Sequence, residues 1–250
     1  MKRIIVVALF LLGIGFIFSC SKDAGSPLPS NPVGTGGSLA RFTIAGNFLY
    51  VVDSGFLTTF NIENGKEPSR VNSIPLDFTV ETIYPFMDKL FIGSREGFYI
   101  FSIENPQQPK LLSATSHFRA CDPIVAHDTV AYVTVRAGNL CGGSRSALIT
   151  YDVKDVLNPV EKNLITLQNP YGLGLKDQRL FVCEGSKGLK VFSLQADPYN
   201  PVLIQNVTGE TYYDCIPYGN ILIVMIEKGL AIYDISSPAS IELLSLMKNE

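Results

Sequence analysis

Three features of the sequence predict an all-β fold, a β-propeller of five four-stranded blades. One strand motif recurs five times, the copies are about 41 residues apart, and turn residues separate them. The motif copies are LTTFNI (57–62), YIFSI (99–103), LITYDV (148–153), LKVFSL (189–194) and LAIYDI (230–235). Their aromatic residues, Phe60, Phe101, Tyr151, Phe192 and Tyr233, are spaced by 41, 50, 41 and 41 positions.

A second apolar strand lies upstream of each copy: LYVV (49–52), LFIG (90–93), AYVT (131–134), LFVC (180–183) and LIVM (222–225). A short turn (AGN, MDK, HDT, KDQ or YGN) precedes it, and another apolar strand precedes the turn. After the aromatic strand comes a loop carrying Pro68, Pro109, Pro159, Pro201 or Pro238, then a fourth short strand such as PKLLSA or IELLSL. Each unit reads as antiparallel strands a, b, c and d, with no sustained helical period. The blades are expected at 40–76, 77–118, 119–167, 168–209 and 210–250. An unpaired sheet edge invites aggregation, so blades 1 and 5 are expected to pair, or a partner to supply a sixth blade. The chain has no tryptophan and therefore no Trp-Asp blade signature.

The strand c copies LITYDV and LAIYDI, an aromatic followed by aspartate, resemble the LVIVD-repeat family of bacterial surface proteins, and the resemblance covers about 40–247. It implies an extracytoplasmic propeller, often lipid-anchored, and assigns no activity. LTTFNI and YIFSI lack the aspartate, which argues against a chemical role for that position.

The N-terminus supports the same address. Residues 1–19 join Lys2 and Arg3 to an apolar run from Ile4 to Phe18. That run is about 15 residues, short of the ~20 a bilayer-spanning helix needs, and reads as a signal peptide. The segment Ile17-Phe18-Ser19-Cys20 resembles a lipobox, which makes Cys20 the lipidated first residue of the mature protein. Residues 20–38 are rich in Gly, Pro and Ser and read as a flexible tether, followed by a single domain over 39–250. The expected location is the bacterial cell envelope, at the outer membrane or cell surface, with the lipid as the only membrane contact. Loss of residues 1–19 leaves 18 Lys+Arg against 23 Asp+Glu, a formal charge of −5 that does not suit nucleic acid.

The search for chemistry is largely negative. His117 and His127 are the only histidines, and nothing near them has zinc-ligand spacing, so no metal is expected. No hydrolase, nucleotide or dinucleotide motif is present, so no cofactor is expected; Gly172 and Gly174 read as relief from crowding near the propeller axis. Asp122, Asp214 and Glu81 fall near the starts of strands a and are expected to converge near the channel. They would serve acid–base chemistry in a glycan-processing enzyme, or cap loops and backbone amides.

The starts of strands a and the b–c loops share one face. It is expected to gather Asp53, Arg95, Glu96, Asp122, Arg136, Asn139, Arg145, Tyr171, Glu184, Lys187, Tyr212, Tyr213, Asp214 and Glu227. Loops on a rigid ring commonly bind partners, and Tyr and Arg dominate interface energetics. The candidate ligand face is Asp122, Arg136, Asn139, Arg145, Tyr171, Tyr213 and Asp214. This reading makes the protein a binding or scaffold module for an envelope protein or glycan.

From the start of strand b to the strand c aromatic the interval is 11 residues in blades 1, 2 and 5, and 12 in blade 4. In blade 3 it is 20, and Cys141 lies in the insertion. Cys121 opens strand a of that blade at the same edge, which predicts a disulfide between Cys121 and Cys141. Cys183 and Cys215, at apolar positions of blades 4 and 5, read either as a bridge or as buried free thiols.

Overall fold

The structure is a computed structural model that describes residues 37–53, 55–77, 79–116, 123–138 and 144–249. Five four-stranded antiparallel sheets follow one another along the chain, each with its strands in sequence order. Blade 1 is β1 (Phe42–Ala45), β2 (Phe48–Asp53), β3 (Phe56–Asn61) and β4 (Ser69–Pro75). Blade 2 is β5 (Val80–Phe86), β6 (Lys89–Ser94), β7 (Gly97–Ser102) and β8 (Lys110–Ser116). Blade 3 is β9 (Ile124–His127), β10 (Val130–Val135), β11 (Ala147–Asp152) and β12 (Val160–Thr166). Blade 4 is β13 (Leu173–Lys176), β14 (Arg179–Cys183), β15 (Leu189–Ser193) and β16 (Val202–Val207). Blade 5 is β17 (Tyr212–Tyr218), β18 (Ile221–Ile226), β19 (Gly229–Asp234) and β20 (Glu242–Lys248). The protein is thus an all-β propeller of five blades, as its repeats predict.

Local chemistry repeats with the blades. The first residue of every a–b turn has a left-handed φ: Gly46 (59°), Met87 (53°), Asp128 (54°), Asp177 (54°) and Gly219 (55°). Glycine and aspartate tolerate that conformation; Met87 does not carry it comfortably. The ladder between strands c and d shifts register immediately before the aromatic residue in all five blades, between Thr59/Phe60, Ile100/Phe101, Thr150/Tyr151, Val191/Phe192 and Ile232/Tyr233. The bulge gives each wide ring its place in the sheet.

The residue after the aromatic caps the following turn. Asp152 accepts from Lys154 N–H at 3.0 Å and Asp234 from Ser236 N–H at 2.7 Å. Asn61, Ser102 and Ser193 make the same bond to Glu63, Glu104 and Gln195. The aspartate at this strand c position is therefore a turn cap that Asn or Ser replaces. A second cap, from Asp155 to Leu157 N–H at 3.0 Å and from Asp197 to Tyr199 N–H at 2.9 Å, holds the proline-bearing c–d loops of blades 3 and 4.

Blades pack face to face through four apolar clusters, which join blades 1–2, 2–3, 3–4 and 4–5. Strands a lie innermost, touching one another from blade to blade. The rings of Phe101, Tyr151, Phe192 and Tyr233 belong to the clusters shared with the preceding blade and are buried. Side chains at strand b reach forward to the next blade's c–d loop: Tyr50 Oη donates to Pro106 O at 3.0 Å and Tyr132 Oη to Pro198 O at 2.7 Å. Burial pushes the Tyr50 phenol up to about 12, so it stays a donor.

Among the described residues apolar clusters join each blade to the next, and none joins blade 5 to blade 1. The expected disulfide between Cys121 and Cys141 lies outside the described residues, as do Cys20 and the segment before Gly37.

Candidate functional site

At the face where strands a begin, the chain enters through the mouth of the axis. Gly37 and Ser38, placed by the sequence at the end of a tether, are instead buried and bonded. Ala40 N–H donates to Gly37 O at 3.0 Å, which closes a turn, and Ala40 O accepts from Ile83 N–H of blade 2 at 2.8 Å. Ser38 Oγ accepts from Leu173 N–H of blade 4 at 2.7 Å and donates to Asp214 Oδ1 of blade 5 at 3.2 Å. Sequence composition hid this plug because Ser38 ends a Gly-, Pro- and Ser-rich run nearly free of large apolar side chains.

The Asp214 carboxylate is enclosed. A Cβ on Gly37 would lie 2.2 Å from Asp214 Oδ2, and one on Gly172 would lie 2.1 Å from Asp214 Oδ1, so only glycine fits on either side. Cys215 N–H donates to Oδ1 at 2.9 Å. Burial raises the Asp214 pKa to about 6, against hydrogen bonds from Cys215, Ser38 and Leu39 that hold it down. The carboxylate that sequence alone offered as an acid or base is thus a keystone between the N-terminal segment and blades 4 and 5. Glu81 is held by Arg95 Nε at 2.9 Å. Asp122 lies outside the described residues, and so does Asn139.

Beside the plug the structure brings together three of the expected ligand-face residues. The Arg136 guanidinium lies 3.9 Å from the centre of the Tyr171 ring. Tyr213 meets Tyr171 edge to face, with centroids 5.0 Å apart and planes at 88°. Tyr171 is fixed through its backbone: its N–H donates to Cys183 O at 2.7 Å, and its carbonyl accepts from Thr134 Oγ1 at 2.6 Å. A cleft of about 220 Å³ opens next to the stack, lined by Leu39, Glu81, Thr82, Pro123, Arg136, Pro170 and Tyr171. The rings and guanidinium present flat, weakly hydrated faces, and their hydroxyl and N–H groups supply directed donors. Arg145 is exposed at the far end of the blade 3 insertion.

Two residues assigned to this face by sequence are inside the protein. Glu184 is buried, accepts from Gln168 N–H and pairs with Lys190 Nζ at 3.1 Å. Tyr212 is buried, its hydroxyl 3.1 Å from that of Tyr233. Cys183 and Cys215 are free and buried in the same junction between blades 4 and 5. A larger groove of about 550 Å³, which sequence reasoning did not find, lies on the opposite face between blades 4 and 5. Its polar walls include Lys176, Asp177, Ser193 and Asn220. Beneath it the Arg179 guanidinium donates to Ser237 O at 2.6 Å and to Ile235 O. Among the described residues no group of three or more acidic, histidine or cysteine side chains is placed to hold a metal ion.

This architecture defines a β-propeller protein, and solved structures of that fold resemble it. A computationally designed protein, Ika8, matches with a TM-score of 0.57 and 12% identity over 82% of this chain and 59% of its own. A 6-phosphogluconolactonase candidate from Bacteroides fragilis matches with a TM-score of 0.64 and 12% identity, over 81% of this chain and 68% of that one. BamB from Moraxella catarrhalis matches with a TM-score of 0.54 and 10% identity, over 87% and 73%. The chain thus spans less than two thirds of Ika8, and identities this low establish the fold alone. No protein-family model matches the chain, and no curated protein does.

Proposed function

We propose that this protein is an exported, lipid-anchored propeller of the LVIVD-repeat kind that binds an envelope protein or glycan with the face where strands a begin. The observation that carries this reading is the stack of Arg136 on Tyr171, with Tyr213 edge-on, beside a cleft walled by Pro123 and Pro170. Such a surface accepts a sugar ring or a flat side chain by stacking, and polar tips set its orientation. The rings are held by backbone bonds to neighbouring blades, so little order is lost on binding.

In this reading residues 1–19 are removed, Cys20 carries lipid at the outer membrane, and the tether delivers the propeller domain to its partner. The described chain begins at the binding face, with Gly37. A disulfide between Cys121 and Cys141 staples the blade 3 insertion, so that Asn139 and Arg145 are presented beside Arg136. Asp122 and Asp214 frame the same mouth.

The test is capture from envelope extracts, together with a glycan-binding screen, using wild type and an Arg136→Ala, Tyr171→Ala, Tyr213→Ala variant. A partner retained by wild type and weakened at least tenfold by the variant supports the reading. A partner bound equally by both rules out this face. Thiol titration of denatured, unreduced protein tests the staple: Cys121 and Cys141 both free would reject it.

A further inference from the structure

The strand b segments of the middle blades are buried on both faces, whereas those of blades 1 and 5 are buried on one. Every residue of β10 and β14 is buried, but β18 alternates between buried and partly or fully exposed, and β2 is buried only at Tyr50 and Val52. The difference is not one of composition, because the uncovered positions are apolar. Blade 5 aligned on blade 4 places Met225 at the position of Cys183 and Leu230 at that of Leu189. Cys183 and Leu189 are 0% exposed against blade 5; Met225 and Leu230 are 44% and 38% exposed.

The other end of the chain is bare in the complementary sense. Blade 1 aligned on blade 4 puts Phe42 at the position of Leu173, which blade 3 covers completely; Phe42 is 61% exposed. Ile44, on the same side of β1, is also exposed. Phe60 is the one strand c aromatic without a preceding blade to enter, and it is only half-buried. Ser38 and Gly37 cover the inner corner of the blade 5 face at Asp214 and leave the rest open.

We infer that the uncovered face of blade 5 and the uncovered face of blade 1 are the two halves of one junction, made head to tail between copies of this chain. The four internal junctions each pair the forward face of one blade with the backward face of the next. The chain carries one forward face and one backward face to spare, built on the same repeat. A face made to receive a backward face is best matched by another copy's blade 1, so the contact is heterologous. Two copies close it into a ring if the rotation allows. Contiguous apolar surface at two sheet faces favours such burial over exposure to water.

The experiment uses two differently tagged copies of the full chain, co-expressed, solubilised in mild detergent and captured in tandem through both tags. One variant carries Phe42→Asp and Ile44→Asp; the other carries Met225→Asp and Leu230→Asp. Wild type is expected to capture wild type. Each variant is expected to lose self-closure, capturing its own kind at least tenfold less, yet the two variants together should capture each other, because one intact junction remains between them. Thermal melts verify that the variants fold, and Phe42→Ser and Leu230→Ser replace any that do not. A wild type that captures no second copy overturns the inference. So does an equal loss in the mixed pair, which would mean like faces meet like. The readout is self-capture without ligand, so it stands or falls separately from partner binding at the Arg136 face.

Discussion

Ser38 and Asp214 lie 176 residues apart in sequence and 3.2 Å apart in space, and this contact ties the start of the domain to its last blade. Ser38 Oγ also accepts from Leu173 N–H, so one hydroxyl links blades 4 and 5 to the entering chain. The bond makes the mouth of the axis a piece of covalently distant but locally rigid structure.

Asp214 should give the fold an inverted pH response. Burial holds its carboxyl near 6 in the folded protein, above the ~3.9 of an unfolded aspartate. The folded state then binds more protons than the unfolded state between those values. Its stabilising contribution is present below about pH 4 and is lost as pH rises to about 6, and it is flat above that. The size is on the order of 2–3 kcal/mol. Asp152, Asp155, Asp197 and Asp234 are shifted the other way by hydrogen bonds from their own turns, so their contributions are lost only below about pH 4. Urea unfolding at pH 4 to 7 should therefore show stability falling with pH, and Asp214→Asn, which keeps an acceptor for Ser38 and Cys215, should flatten that window. An unchanged slope in the variant would show that Asp214 is not its source.

Met87 occupies, with φ 53°, the turn position that Gly46 and Gly219 fill elsewhere. It is 69% exposed, so little packing offsets the strain. A left-handed non-glycine residue costs about 1–2 kcal/mol, and glycine adds roughly 0.5–1 kcal/mol of chain entropy to the unfolded state. Met87→Gly should stabilise by about 0.5–1 kcal/mol, raising the midpoint of denaturation. A lower midpoint would mean that Met87 makes contacts worth more than its strain.

Much of this was legible in the sequence, for a physical reason. Short apolar strands bounded by turn residues recur every 41 or so residues, so LYVV, LFIG and LFVC announce both strand and register. The left-handed turn was harder to read because Gly, Met and Asp share one position. That Arg136, Tyr171 and Tyr213 share one face was readable because a strand's polarity dictates which face its ends occupy. Glu184, the first residue after β14, and Tyr212, the first of β17, look like loop in the sequence, but Glu184 is buried against Gln168 and Lys190 and Tyr212 in the cluster between blades 4 and 5. Ser38 was missed because its partners are contributed by blades 4 and 5. Ring closure was unreadable, since the outer blades carry the same apolar pattern as the middle ones.

Cys183 and Cys215 sit together in the core between blades 4 and 5, both at most 1% exposed. The neighbouring Cys183 and burial both push the Cys215 thiol up, and that favours the inert form. Neither thiol should react with a maleimide in the native protein at pH 7.5, and both should react once it is unfolded in urea. Stoichiometric labelling of the folded chain would show that the junction opens on the timescale of the reaction.

Arg179 should be the costliest single charge to remove. It is 7% exposed, its guanidinium donates to the carbonyls of Ile235 and Ser237, and it is the forward-reaching clamp of blade 4 where Tyr50 and Tyr132 serve blades 1 and 3. Burial lowers its pKa, but the group begins so high that it remains charged near neutrality. Arg179→Met removes the guanidinium from over the Phe181 ring and deletes both bonds, leaving the Ile235 and Ser237 carbonyls without that donor. A loss of about 2–4 kcal/mol is expected in urea unfolding, against about 1 kcal/mol for Tyr132→Phe, which removes one neutral bond. Equal costs for the two substitutions would mean that water entering from the groove above replaces the guanidinium, and that this junction is held by its apolar cluster alone.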